Sequence, residues 1–81
     1  MGHKKRGKPK YLAAKLLAIR QALGASQTEM VKHLDFKVTT ARISEYEHGH
    51  REPNLIILLR YAKSVDISVD AIIDDDLDLF D

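Results

Sequence analysis

The chain has 81 residues, the size of one small domain, and its 44% hydrophobic and 31% charged content is typical of a soluble helical protein. It has no cysteine, which excludes disulfides, a thiolate metal site and a cysteine nucleophile. No apolar run approaches the roughly 20 residues of a membrane span and no secretory signal peptide is visible, so we predict a cytoplasmic protein without a membrane partner.

The net charge of +1 conceals two ends of opposite charge. Residues 1–20 contain seven lysines or arginines and no acid, whereas residues 66–81 contain seven aspartates and no base. This asymmetry predicts a nucleic-acid-binding end and an acidic tail, and two merely solvated ends are the alternative. We divide the chain into a flexible basic arm at residues 1–9, a folded domain at residues 10–75 and an acidic-apolar tail at residues 76–81.

Two helices are predicted in the first half of the chain. The first spans residues 10–23, because its apolar residues recur at spacings of three and four, and Gly24 ends it. The second spans residues 27–34, with Ser26 as its N-cap and Glu29 completing a capping box.

A third helix is predicted to begin at Thr39 or Thr40 and to end at His48, because Gly49 readily adopts the left-handed conformation that follows a helix end. Its inward residues are Ile43 and Tyr46. Its other side, which we expect to face solvent or a ligand, carries Thr40, Ala41, Ser44 and Glu45.

A fourth helix, capped by Asn54, is rich in apolar residues, which cover more than half of its circumference. They are Leu55, Ile56, Leu58, Leu59, Ala62 and Val65. Such a helix is predicted to be largely buried and to form the centre of the core. Ser68 caps a short fifth helix over residues 69–74, with Val69, Ile72 and Ile73 facing inward.

The stretch from Ser26 to Pro53 resembles the helix-turn-helix of the phage repressor and Cro-type family of DNA-binding domains. The residues that carry the resemblance are Ser26, Gln27, Met30, Val31, Ile43, Ser44, Glu47, Gly49, Arg51 and Pro53. It covers roughly residues 10–75 and implies an all-α, compact five-helix repressor-like fold. The chain departs from the family by about two extra residues between Leu34 and Ile43, and by Asp35 where a glycine is common.

The resemblance places Thr40, Ala41 and Glu45 against base edges in the major groove. Thr40 can hydrogen-bond a base, a methyl of Thr40 or Ala41 can pack on thymine, and Glu45 can accept from a cytosine amino group. Arg42 can reach a phosphate or, bidentately, a guanine. Ser44, on the same side, completes the set of base-contact candidates.

Phosphate-contact candidates flank the third helix. The resemblance implies a phosphate for Gln27 at a helix N-terminus, and an ordinary polar role is the alternative. Further candidates lie in the turn, the following loop, the arm and the first helix; they are Lys37, Thr39, His50, Arg51, Lys4, Lys5, Arg6, Lys8, Lys10 and Arg20. For Thr39, helix capping is the favoured alternative. Glu47 is assigned to an internal hydrogen bond or ion pair.

Metal binding by His48 and His50 is disfavoured, because two histidines around a helix end rarely converge on one ion. No catalytic constellation or glycine-rich phosphate loop is present, so we predict neither an enzyme nor a cofactor.

The predicted function is sequence-specific binding of double-stranded DNA by a transcriptional regulator of the operator-binding repressor type, acting as a homodimer. The alternative is a protein-interaction module on the same fold, such as an antitoxin or a regulator subunit. In that case the acidic-apolar tail is the working end. We expect the tail to dock on a second protomer or a partner protein, and folding back onto the basic arm is the other outcome considered.

Overall fold

The computed structural model describes residues 9–35 and 37–80, and these residues form five α-helices and no strand. The helices are α1 (Leu12–Leu23), α2 (Gln27–Leu34), α3 (Thr40–Glu47), α4 (Leu55–Ser64) and α5 (Val69–Ile73). The all-α, five-helix fold expected from the sequence is therefore confirmed. The basic arm lies outside the described residues except for Pro9, and the division into arm, domain and tail stays a prediction.

Four helix ends are fixed by the residues that the sequence predicted for them. The α2 capping box is complete, since Ser26 Oγ accepts from the Glu29 N–H at 3.0 Å and the Glu29 carboxylate accepts from the Ser26 N–H at 2.8 Å. These bonds lower the pKa of Glu29. Thr39 and Asn54 cap α3 and α4 in the same way through their side-chain oxygens. Gly24 ends α1 in the left-handed conformation, with φ of 66°.

The core lies between the helices, with α2 packed on α3 and α4, and α1 packed on α3 and α5. Its largest fully buried side chains are Tyr61, Leu16, Ile19, Met30, Leu34, Ile43 and Ile72. Full burial of one such aliphatic side chain stabilises the fold by about 1.5–3 kcal/mol. Because all five helices contribute to this cluster, it fixes the outward side of α3 relative to the rest of the domain.

The prediction that α4 is largely buried was wrong. One side of α4 is buried, but Leu55, Ile56 and Leu59 are 70%, 50% and 42% exposed. The buried side includes Ile57 and Leu58. The difference arises because α2 and α5 cover only one side of α4, and so small a domain has no second layer for the other.

The end of the chain packs on the start of α1. The Asp75 carboxylate accepts hydrogen bonds from the Lys10 N–H at 2.9 Å and the Tyr11 N–H at 3.2 Å. Lys15 Nζ donates to the backbone oxygens of Ala71, Asp74 and Leu77, each at 2.8 Å. Leu77 of the tail thus contacts its own chain, and docking of the tail on a second protomer or a partner protein stays a prediction. The helix α1 begins at Leu12, two residues later than predicted.

The α5 helix also differs from expectation at both ends. It ends at Ile73, whose side chain is exposed, although we predicted it to face inward. Ser68 occupies the N-cap position without a side-chain hydrogen bond. Ala71 takes the buried position beside Ile72 instead. A five-residue helix has little more than one turn, so a shift of one residue moves a different side chain to the core.

Candidate nucleic-acid interface

A buried ion pair positions α3 against α1 and α2. Arg20 of α1 binds Glu47 bidentately, from Nε to Oε2 at 2.7 Å and from Nη2 to Oε1 at 3.0 Å. Gln27 Nε2 of α2 donates to the same Oε1 at 3.0 Å. The Glu47 side chain is only 4% exposed and that of Arg20 is 19% exposed. These three residues, the buried glutamate network, tie together the three helices that form the candidate interface.

The buried glutamate network confirms the internal role expected for Glu47 and changes two other expectations. Arg20 is a phosphate-contact candidate in the sequence, but its guanidinium also donates to Ala25 O at 3.0 Å. Its donors are therefore bound to groups of its own chain. Hydrogen bonding to Glu47 raises the pKa of Arg20. The Gln27 side-chain nitrogen is engaged as well, so the backbone N–H groups at the start of α2 are what remains for an anion.

The outward side of α3 contains the predicted base-contact residues. Thr40, Ala41 and Arg42 are exposed in its first turn, and Ser44 and Glu45 are partly exposed one turn later. Their common side follows from Ile43 and Tyr46 being buried on the opposite one. The structure therefore brings these five candidates together, and their contacts with bases stay a prediction.

The start of α3 is held by two threonines. Thr39 Oγ1 accepts from the Arg42 N–H at 3.1 Å, which is the capping role considered for it. Thr40 Oγ1 lies 3.5 Å from Thr28 Oγ1 at the start of α2. The first turns of the two helices are thereby kept side by side.

Glu45 joins two arginines on the surface. Its Oε1 atom lies 3.2 Å from Arg42 Nε and 3.0 Å from Arg51 Nε, with all three side chains about half exposed. We call these residues the surface glutamate network. The sequence predicts Glu45 as a base contact and the arginines as independent donors, and it does not show this connection. The spacing of three residues between Arg42 and Glu45 is the signal that was available.

A cleft of about 280 Å³ opens beside the surface glutamate network. It is bordered by the turn before α3, by α3 itself and by the loop that leads to α4, and its lining includes Lys37, Thr39, Arg42, Arg51 and Glu52. Asp35 adopts the left-handed conformation with φ of 48° at the end of α2, in the place where a glycine is common. The longer turn thus reverses the chain without a glycine and brings Lys37 to the cleft.

The two histidines after α3 stack on each other. Their ring centroids lie 5.8 Å apart with an angle of 28° between the planes. His48 Nδ1 lies 2.8 Å from Ser44 O, and the carbonyl requires this nitrogen to be the donor. His50 is exposed, as its predicted phosphate contact requires. Within residues 9–35 and 37–80, no group of three histidine or acidic residues is arranged to hold a metal ion.

Comparison with known proteins agrees with this geometry. The chain is similar to the P22 c2 repressor protein, solved in complex with synthetic operator 9T in the presence of Tl⁺. The TM-score is 0.70 with 28% identity, over 80% of this chain and 96% of that chain. No curated protein matches the sequence. No helix in the described part of the chain is both long and apolar enough to cross a membrane. A model of the helix-turn-helix family matches residues 16–72, and the chain belongs to that family.

Proposed function

We propose that this protein binds double-stranded DNA sequence-specifically through α3 and regulates transcription by occupying an operator. The observation that carries the proposal is the outward side of α3, which is exposed while the opposite side is locked by the core and the buried glutamate network. A polar helix side held rigidly at the surface is suited to enter a major groove. The similarity to a repressor that was solved with a synthetic operator supports this choice.

In this arrangement Thr40, Ala41 and Ser44 face base edges, and the residues around α3 face phosphates. The Gln27 and Thr28 N–H groups at the start of α2 meet one phosphate, because the capping box uses the Ser26 and Glu29 N–H groups and leaves these two without an acceptor inside the helix. Lys37 and Arg51 border the cleft on one side of α3, and His50 lies in the loop that follows it. Lys4, Lys5, Arg6 and Lys8 lie outside the described residues, and we infer for them additional phosphate contacts from the arm.

We further infer that the protein acts as a homodimer in the cytoplasm, and by binding rather than by catalysis. Two copies would place two α3 helices in successive major grooves about one helical turn apart. An operator read in this way has two related half-sites.

The test is selection of duplex DNA from a random-sequence pool. We expect wild type to enrich a sequence with two half-sites, and Thr40→Ala to relax the preference at one base position of each, at a cost of about 1–3 kcal/mol in binding. Lys37→Ala should instead weaken binding to every duplex and lower the salt slope by about one. The matched control is Lys63→Ala, an equal loss of charge in the last turn of α4. Enrichment of no sequence, or an unchanged preference in the Thr40 variant, contradicts the proposal.

A protein-interaction role is the second candidate, favoured by the exposed apolar residues Leu77 and Phe80 in the described tail. Its test is the double variant Leu77→Ser with Phe80→Ser. The DNA-binding proposal expects the salt dependence and the selected sequence to be unchanged. The interaction proposal expects the double variant to lose capture of the protein partner. It also expects neither wild type nor the double variant to bind DNA.

A further inference from the structure

An acidic side chain stands in the middle of the surface proposed to meet DNA. One oxygen of Glu45 lies within 3.2 Å of Nε atoms from both Arg42 and Arg51. These arginines come from α3 and from the loop after it, and both line the cleft. Carboxylate and phosphate oxygens satisfy the guanidinium group with the same geometry. Glu45 and a DNA phosphate therefore compete for the positive charge of the two arginines and for the Nε–H of Arg51, which donates to Glu45.

We propose that Glu45 is a specificity-determining residue that holds Arg42 and Arg51 away from phosphates until a correctly docked operator displaces it. The inference rests on the proposed DNA-binding function. On a non-operator duplex, Glu45 keeps the arginines engaged and the protein gains few phosphate contacts. On the operator, base contacts by Thr40 and its neighbours fix the register, and one phosphate enters the cleft and replaces the carboxylate.

The exposure of the network makes this exchange feasible. All three side chains are about half exposed, so water already solvates them and the internal pair is weakly favourable at best. A duplex docked in the operator register holds a phosphate beside the arginines, where it outcompetes one surface carboxylate, whereas a duplex in another register does not. In contrast, the cleft also contains Lys37, for which no ion pair with the described residues occurs, and this side chain attracts the phosphate without an exchange.

Glu52 provides a matched control. It borders the same cleft and carries the same charge, but it forms no hydrogen bond or ion pair with the described residues. Glu45→Gln and Glu52→Gln therefore change the field at the cleft in a similar way. Only the first of them releases the two arginines.

The experiment measures the affinity of wild type, Glu45→Gln and Glu52→Gln for two duplexes over a salt titration. One is a random-sequence duplex, and the other is the duplex that wild type selects from a random pool. We expect Glu45→Gln to bind the random duplex about three- to tenfold more tightly than wild type at low salt, with a log–log slope steeper by about one. The preference for the selected duplex should fall by the same factor, while Glu52→Gln shows a smaller change on both duplexes.

A further variant identifies the donors. Adding Arg51→Gln to Glu45→Gln should remove most of the gained affinity for the random duplex. Thermal unfolding of each variant should resemble that of wild type, because the residues are exposed. A gain that persists without Arg51 and also without Arg42 would show that the arginines are not the released donors.

Three further outcomes overturn the inference. Equal effects of Glu45→Gln and Glu52→Gln mean that only net charge matters. A loss of affinity for the selected duplex, with the random duplex unaffected, means that Glu45 contacts a base directly. Binding of neither duplex by wild type removes the proposed function itself, which separates that failure from the other two.

Discussion

Glu45 and Glu47 lie two residues apart on α3 and each carboxylate contacts side-chain nitrogens of two residues, yet their places in the fold differ. Glu47 is 4% exposed and binds Arg20 and Gln27 from two other helices. Glu45 is 42% exposed and binds Arg42 of its own helix and Arg51 of the following loop. The first network holds the helices of the domain together, and the second connects only surface groups beside the cleft.

The comparison teaches that burial, and not the type of ion pair, decides what a glutamate does here. A buried pair that loses one partner leaves an uncompensated charge in a poorly solvated place, whereas water replaces a lost partner at the surface. The buried network is thus a fixed part of the fold. The surface network is free to exchange its carboxylate for a phosphate.

The largest expected effect is the loss of stability in Glu47→Ala. We expect the free energy of unfolding to fall by about 3 kcal/mol, at the lower end for a broken buried pair because Arg20 is 19% exposed. Glu45→Ala should change it by less than about 0.5 kcal/mol. Urea unfolding followed by circular dichroism measures both. Similar losses in the two variants would erase the distinction between the networks.

A pair of neighbouring leucines tests whether burial has the same effect on apolar residues. Leu58 is buried in α4 and Leu59 is 42% exposed. Leu58→Ala should lower the free energy of unfolding by about 2–4 kcal/mol, because it leaves a cavity in the core. Leu59→Ala should cost about 1 kcal/mol or less. Urea unfolding measures both variants. A larger loss of stability in Leu59→Ala than in Leu58→Ala would mean that Leu58 is not on the buried side of α4.

Lys15 has a smaller effect, because it fastens the end of the chain rather than the core. Replacing Lys15 by methionine keeps an unbranched side chain that is one atom shorter and removes three hydrogen bonds to backbone oxygens. We expect a loss of about 1–2 kcal/mol in unfolding free energy. Hydrogen exchange at Asp74 and Leu77 should become faster. Lys63→Met is the control. An equal effect of the two variants would argue against a stabilising role of the Lys15 hydrogen bonds.

Tyr61 is expected to respond in the opposite direction. Its hydroxyl is fully buried beside the buried glutamate network and forms no hydrogen bond with the described residues. Burial, followed by the nearby charge of Glu47, raises the pKa of this hydroxyl. Tyr61→Phe should leave the free energy of unfolding unchanged or raise it by up to about 1 kcal/mol. A clear loss of stability would reveal an unrecognised partner of the hydroxyl.

The smallest effect is the pH dependence of the contact between Asp75 and the start of α1. Hydrogen bonds from the Lys10 and Tyr11 N–H groups lower the pKa of Asp75 below its ordinary value of 3.8. Because the folded-state pKa is depressed, the contribution to stability is present above about pH 4 and is lost as the pH falls through the folded-state pKa. NMR titration of the Lys10 and Tyr11 amides should show this transition in wild type and not in Asp75→Ala. Identical curves would refute the contact.

The sequence predicted the features that depend on residues close together in the chain. The caps at Ser26, Thr39 and Asn54 act over three residues, so their pattern is visible locally. The contact of Arg20 with Glu47 spans 27 residues, and that of Lys15 with Leu77 spans 62. No local pattern shows that Lys15 binds the backbone near the end of the chain.

The exposure of α4 was missed for a different physical reason. The sequence shows how many apolar residues a helix carries, but burial depends on how many of its sides other helices cover. Glu45 had the spacing of an ion pair with Arg42, and only the loop carrying Arg51 completes the network. The positions of the five outward residues of α3 were predictable, and the coupling among them was not.

The most direct test of the central claim is an NMR titration of the ¹⁵N-labelled protein with the duplex that it selects. We predict that the largest amide shifts occur at the start of α2, from Lys37 to Glu45, and at His50 and Arg51. The amides of α5 should move little. Large shifts confined to α5 and the tail, or no shifts at all, would contradict the claim that α3 is the DNA-binding element.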